Sequence, residues 1–194
     1  MTVLTGKLNS INRREALYYL GCGANAAQPE EVEALMDECQ AEVLSVQDLK
    51  AVYSLYDINF GEQLDLGFTK TDSRDLAKYL SGCAKIALFA ATAGAGIDRL
   101  IARYSRISPS RAAAVQALGA ALVEGWCDEV HARFRREYGA KKARFSCGFG
   151  DLPLSMQKDI FSALNVTKAI GVTLSDNFFM VPTKSVTAIV GIPV

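Results

Sequence analysis

An α+β fold is what this sequence predicts, and three observations predict it. Segments of strand character and segments of helical periodicity follow one another in mixed order, unlike the strict alternation of a doubly wound parallel sheet. Two stretches rich in β-branched residues, AIGVTLSDNFFMVP and SVTAIVGI, sit side by side near the end of the chain, where neighbouring strands are expected to pair antiparallel. Half of the 194 residues are apolar and 22% are charged, which fits a globular chain with a well-filled core. With no repeat, low-complexity tract or Gly/Ser/Pro-rich linker, one domain over residues 1–194 is expected.

The first predicted helix, Arg13–Leu20, stops at Gly21-Cys22-Gly23, since glycine is favoured just past a helix end. Pro29 suits the first turn of a second helix, whose Val32, Leu35, Met36, Cys39 and Val43 recur at helical spacing. Residues 49–58 are rich in Val and Tyr and read as a strand, with NFGEQLDLGF as a turn and return strand. Asp72 or Ser73 can cap a helix through Leu80, with Leu76, Tyr79 and Leu80 on one face. KIALFAA reads as a buried strand, followed by TAGAG and a helix that aligns Ile97, Leu100, Ile101 and Tyr104. Ser108-Pro109, cap followed by proline, opens a long helix to about Tyr138. A further helix turns Met156, Ile160, Phe161 and Leu164 inward before the two terminal strands.

Bulk properties exclude several classes. Lys plus Arg and Asp plus Glu both total 21, so no global field points to nucleic acid or membrane, and any electrostatic partner needs a local patch. The longest apolar run, residues 86–93, is far too short to span a bilayer. The first ten residues lack the charged head and apolar stretch of a secretory signal, so a cytoplasmic location is expected. Five widely spaced cysteines with no C-x-x-C read as reduced thiols.

Local features each carry two readings. TAGAG reads as a tight strand-to-helix turn; an anion cradle is the alternative, although the third glycine of a dinucleotide fingerprint is missing. Glu124, Cys127, Asp128 and His131 fall near one face of the long helix, but the chain has a single histidine and no second ligand cluster, so no metal site is expected. Glu124 interrupts the nearly uncharged AAAVQALGAALVEGWC, where a carboxylate needs a partner: a structural arginine, or one shared with a ligand. The basic run Arg133, Arg135, Arg136, Lys141, Lys142 and Arg144 reads as a solvated helix end, with docking of an acidic partner as the sharper alternative. In ARFSCGFGDLP, Arg144 offers a planar fork for a carboxylate, Gly148 and Gly150 allow close backbone approach, and Phe149 can stack on a flat ring. Such a set suits a small zwitterion carrying an aromatic base. Cys147 as a nucleophile is a further alternative, with no clear base nearby.

Taken with RFSCGF, the stretches EGWCDEVH, IGVTLSDNFFMVPTKSVTAIVG and INRREALYYLG make the sequence resemble the activation (reactivation) domain of cobalamin-dependent methionine synthase, and in particular its short stand-alone relatives. RFSCGF is similar to that family's S-adenosylmethionine motif R-x-x-x-G-Y, and the ligand-contacting glutamate of the family, seven residues before a histidine, falls on Glu124. The resemblance implies a bent, mainly antiparallel sheet flanked by helices. It implies a stand-alone reactivation protein that binds S-adenosylmethionine and supports reductive methylation of cob(II)alamin on a separate corrinoid-binding methionine synthase or methyltransferase module. A flavodoxin- or ferredoxin-like protein would supply the electron, and the partner would supply the cobalamin. Arg144 would take the methionyl carboxylate and Glu124 the ligand's ammonium or hydroxyl groups; Ser146 stands where the family uses backbone atoms, and Gly148 keeps the loop close. Phe149 replaces the family's tyrosine, keeping the ring and losing the hydroxyl. The sequence stops at Val194, before the family's longer C-terminal extension, so ligand contacts from that extension are expected to be missing or replaced. A non-catalytic adaptor of the same fold, docking a corrinoid protein or electron donor, is the alternative reading.

Overall fold

The structure, a computed structural model, describes residues 1–23 and 27–193; Val194, the last residue of the expected domain, lies outside them. At its centre is a four-stranded antiparallel sheet in the order β1 (Thr2–Gly6), β2 (Leu49–Asp57), β6 (Cys83–Thr92), β9 (Ser185–Pro193). Both faces of this sheet are covered. In β6 the side chains of Ala87, Phe89 and Ala91 enter one core, while Ile86, Leu88 and Ala90 enter the other. A strand buried on both faces loses its polar/apolar alternation, which is why KIALFAA reads as an unbroken apolar run.

Over the first face lie α1 (Arg13–Leu20), α2 (Glu30–Val46), α4 (Ala95–Ile107) and α5 (Pro109–Tyr138). Over the second lie α3 (Arg74–Leu80), α6 (Gln157–Ala163) and α7 (Val166–Ile170), with a small sheet of β3 (Asn59–Phe60), β4 (Leu64–Asp65) and β5 (Lys70–Thr71). α5, with 30 residues, runs about 45 Å. It ends where Gly139 takes a left-handed φ of 67° and its N–H returns to the Arg135 carbonyl. Ser73, of the two capping candidates, is the residue that caps α3, accepting from the Leu76 N–H at 3.1 Å. TAGAG is a packing turn: a Cβ on Gly96 would run into the Val46 carbonyl and come within 2.8 Å of Val46 Cβ, so only glycine lets α4 start against the end of α2.

Four expectations need correction. AIGVTLSDNFFMVP is not one strand. Gly171 closes α7 in the left-handed region, and only β7 (Thr173–Leu174) and β8 (Met180–Val181) pair, as a short hairpin. The antiparallel partner of β9, the edge strand opposite β1, is therefore β6, about 100 residues earlier, where Ala188, Val190 and Ile192 enter the first core and Ile189 the second. NFGEQLDLGF does turn back, Leu64–Asp65 pairing with Asn59–Phe60 and on its other side with Lys70–Thr71, but as a separate small sheet and not on β2, whose two edges are taken by β1 and β6. β1 is a strand that the hydrophobic pattern did not reveal, since as an edge strand it is mostly exposed. Ser108 precedes α5 without a side-chain capping bond; its hydroxyl instead meets Ser110, and Pro109 alone supplies the start signal.

Candidate functional site

The Gly139 cap turns the chain back toward the sheet, and the next regular contact is a bridge from Phe145 to Ile189 of β9. Phe145 N donates to the Ile189 carbonyl at 2.9 Å, and Ile189 N to the Phe145 carbonyl at 2.8 Å. Extended backbone alternates its side chains. Phe145 and Cys147 accordingly join the second core, while Arg144 and Ser146 point the other way, into an open cleft of about 340 Å³. The opposite wall is α5, where Glu124, Asp128, His131 and Arg135 recur at four-, three- and four-residue steps and so form one stripe. Ala143, Phe149 and Val186 complete the lining.

The dominant contact is the Arg144 fork, which is divided between two carboxylates. Nη2 donates to Glu124 Oε2 at 2.6 Å and Nη1 to Asp128 Oδ1 at 2.8 Å. The Arg144 and Glu124 side chains are only 20% and 29% exposed, whereas Asp128 is 72% exposed. The Glu124 pair is thus sheltered enough to matter, and the Asp128 arm is screened. The question raised by a carboxylate in an apolar helix is answered: its partner is the arginine of RFSCGF. The cleft therefore carries adjacent charges of both signs where the loop meets α5, the pattern that an ammonium carboxylate can bridge. Ser146 Oγ donates to the Thr187 carbonyl at 2.9 Å and lies in the lining. Phe149 is 54% exposed, its ring 5.9 Å from Phe145 in an edge-to-face contact that leaves a face open. Gly148 is not in the lining; at φ 87° it makes the turn whose N–H reaches the Leu152 carbonyl at 2.9 Å.

α3 grips the loop at both ends. Before Arg144, the half-buried Tyr79 hydroxyl donates to the Ala143 carbonyl at 2.5 Å and accepts from Gly191 N at 3.0 Å, and burial pushes its pKa up to about 12. Lys142 Nζ donates to the Tyr79 carbonyl and, at 2.9 Å, to that of Ser81. After Phe149, Asp151 caps α3 from a distance: it accepts from the Ser73 hydroxyl, from Arg74 N at 2.8 Å and from Asp75 N at 3.2 Å. Asp75 returns the contact by accepting from Asp151 N at 3.1 Å, and Gly150 has no room for a Cβ beside it, Asp75 Cγ standing 2.8 Å from where one would be.

The bond from Ser73 holds the Asp151 carboxyl below the ordinary carboxylate range, helped by the N–H groups of Arg74 and Asp75. A depressed carboxylate pKa contributes stability that is present above the unfolded value, about 4, and lost as pH falls through the lower folded value. Asp151→Ala is therefore expected to lower Tm at pH 7 and to differ little from wild type near pH 2. Melting curves at a series of pH values check this; a gap that stays constant down to the lowest pH would remove the charge from the explanation.

Other candidates separate from this cleft. Cys127 is fully buried, and burial pushes its thiol up to about 12, so the α5 stripe contributes three of the four grouped residues to the lining. Among the described residues no group of three His, Cys, Asp or Glu side chains could hold a metal ion. Burial pushes the Cys147 thiol up to about 11, the opposite of what a nucleophile requires. Half of the basic run is committed internally: Arg133 to Glu137 at 2.9 Å, Lys142 to α3, and Arg144 to Glu124. α1 brings a group the motif reading missed. Burial, then the charges of Glu124 and Asp128, raise the Glu15 carboxyl, which places it beside the Arg144 cluster. The only sequence signal for it was INRREALYYLG, whose register toward α5 depends on tertiary packing.

A family model described as "Vitamin B12 dependent methionine synthase, activation domain" matches residues 71–192, which include the whole of α5, the loop and β9 apart from its last residue. Among solved structures, the chain is similar to the "Crystal Structure of the MetH Reactivation Domain bound to AdoHcy". The TM-score is 0.75 and the identity 19%, with 98% of this chain and 77% of that chain covered. A search of curated proteins found no match.

Proposed function

The chain belongs to the family of the activation domain of vitamin B12-dependent methionine synthase, and from that premise we propose that it binds S-adenosylmethionine in the α5 cleft and supports reductive methylation of cob(II)alamin held by a separate corrinoid-binding methyltransferase of the methionine synthase type. One observation carries the reading: the Arg144 fork lies against Glu124 and Asp128 where the loop meets α5, with the open Phe149 ring in the same lining. The donor set fits the ligand. A methionyl carboxylate can take the fork in competition with Asp128, its ammonium can turn to the carboxylates that fork releases, and the adenine can lie on Phe149.

One electron from a flavodoxin- or ferredoxin-like donor and the methyl group of the sulfonium together convert cob(II)alamin to methylcobalamin, leaving a thioether. The protein's share is positional. Arg144, Glu124, Ser146 and Phe149 hold the donor so that its methyl group faces a docked corrinoid, Gly148 shaping the turn that carries Phe149, and no general acid or base is needed. The clasp between α3 and the loop supports this role by fixing Arg144 and Phe149 relative to the sheet. The whole of residues 1–194 would act as one domain. The five free cysteines support a reducing compartment, the cytoplasm.

Titration calorimetry with S-adenosylmethionine tests the binding step. The methylation step is tested by following the cob(II)alamin spectrum of a corrinoid-loaded partner with a reduced donor, with and without this protein. Saturable heat and protein-dependent formation of methylcobalamin are expected. Heat without methylation would move the protein to the adaptor reading, and no heat would end the proposal.

A further inference from the structure

His131 stands on the same α5 stripe as Glu124 and Asp128, about 10 Å and 4.5 Å farther along the helix axis, and lines the same cleft. Its side chain is almost wholly buried, at 5% exposure, and its Nε2 has no hydrogen-bond partner. Native folds pair the large majority of buried polar atoms, so an orphan in the wall of a cleft calls for an explanation. The ring's other polar contact is with the Lys142 backbone. Because Nε2 is the unpartnered atom, that contact belongs to Nδ1, which donates its hydrogen to the carbonyl. Burial and the cations Arg135 and Arg144 disfavour a second proton on the ring, against the opposing pull of Asp128. What remains at Nε2 is a lone pair: an uncharged acceptor that cannot donate.

We propose that His131 Nε2 is a binding contact for the amino-acid end of the ligand, accepting a hydrogen bond from its ammonium group. This rests on the S-adenosylmethionine reading above and sharpens it. The polarity of the two walls fixes the ligand's direction: Arg144 on the loop offers donors and takes the carboxylate, while Glu124, Asp128 and His131 on α5 offer only acceptors and take the ammonium. The atom is closed to bulk solvent, and Arg144, whose fork must turn to meet a ligand carboxylate, is among the charges that act on it. A nucleoside thioether lacking the amino-acid end can use Phe149 but has nothing to offer His131.

The chain has one histidine, so nitrogen NMR of labelled protein reports this ring without ambiguity. S-adenosylhomocysteine is the probe with an amino-acid end and 5′-methylthioadenosine the probe without one, each added to saturation as judged by calorimetry. The Nε2 resonance is expected to shift in the direction of an engaged acceptor with the first and to stay in place with the second. His131→Phe is expected to weaken S-adenosylhomocysteine about tenfold, and His131→Gln, which restores an acceptor, to recover part of that loss. Saturable heat with an unmoved Nε2, or an equal shift with both probes, overturns this inference and leaves the proposed function standing. No heat with S-adenosylhomocysteine or S-adenosylmethionine overturns both. The resonance is read on the wild-type protein, so a failure of either variant to fold does not protect the idea.

Discussion

Arg144→Ala is expected to weaken S-adenosylmethionine binding about a hundredfold or more, as measured by titration calorimetry. Two losses combine. The fork that would take the ligand carboxylate disappears, and Glu124, 29% exposed on an apolar helix face, is left beside Asp128 with no cation between them. The second loss also reaches the unliganded protein. An exposed ion pair contributes about 0–1 kcal/mol and breaking a fully buried one costs about 3–5 kcal/mol. With its arginine only 20% exposed, this pair falls between, at about 1–2 kcal/mol. In a chain of this length that corresponds to a fall of roughly 2–8 °C in Tm. Arg144→Lys separates the two effects, because an ammonium restores charge without the planar fork. Its Tm should recover most of the difference while its affinity stays low. Binding by Arg144→Ala within threefold of wild type would take Arg144 out of the site.

What the sequence made legible follows from how local each signal is. Arg13–Leu20 and the Pro109 and Tyr138 ends of α5 were readable because Gly21, Gly139 and Pro109 each act within one turn of the helix end. The α+β class and the buried KIALFAA were readable for the same reason. Pairing was not: β9 joins β6 and β1 joins β2 across 40 to 110 residues, and no short-range pattern distinguishes those partners from nearer ones. The site divides in the same way. RFSCGF showed its arginine and its ring, and the isolation of Glu124 announced that some partner was needed. That this partner is Arg144, and that Asp128 shares the fork, depends on the Phe145–Ile189 bridge, which brings the loop beside α5. The spacing of Glu124, Asp128 and His131 was visible as a possible metal stripe. The unpartnered Nε2 emerges only from the packed side chains. Cys147 shows the limit of reading a motif letter by letter: alternation sends it into the core, while its neighbour Ser146 faces the cleft.

Phe134→Ala is expected to have the largest effect on stability, about 3–5 kcal/mol, with a Tm lower by about 10 °C or more. The ring is fully buried at the centre of an aromatic cluster that joins three elements. Its centroid is 5.0 Å from Tyr53 of β2 and 5.7 Å from Phe89 of β6, both edge-to-face, and 6.3 Å from Tyr138 one turn along α5. Truncation removes the packing that seats the C-terminal half of α5 on the sheet and leaves a cavity that backbone on both sides is poorly placed to fill. Phe134 lies roughly a quarter-turn around the helix from the Glu124–Asp128–His131 stripe. The same helix therefore carries the seat on one flank and the cleft on the next. The loop opposite is held by α3 and β9, and neither hold passes through Phe134. Below its lowered Tm the variant should therefore bind S-adenosylmethionine within about fivefold of wild type, since the losses are expected to be independent at separated positions. Thermal melts followed by circular dichroism, with calorimetry at 15 °C, measure both quantities. A Tm within a few degrees of wild type would show that the ring cluster does not seat the helix. A lost affinity in a folded variant would show that the aromatic seat, and not the loop alone, sets the distance between Glu124 and Arg144.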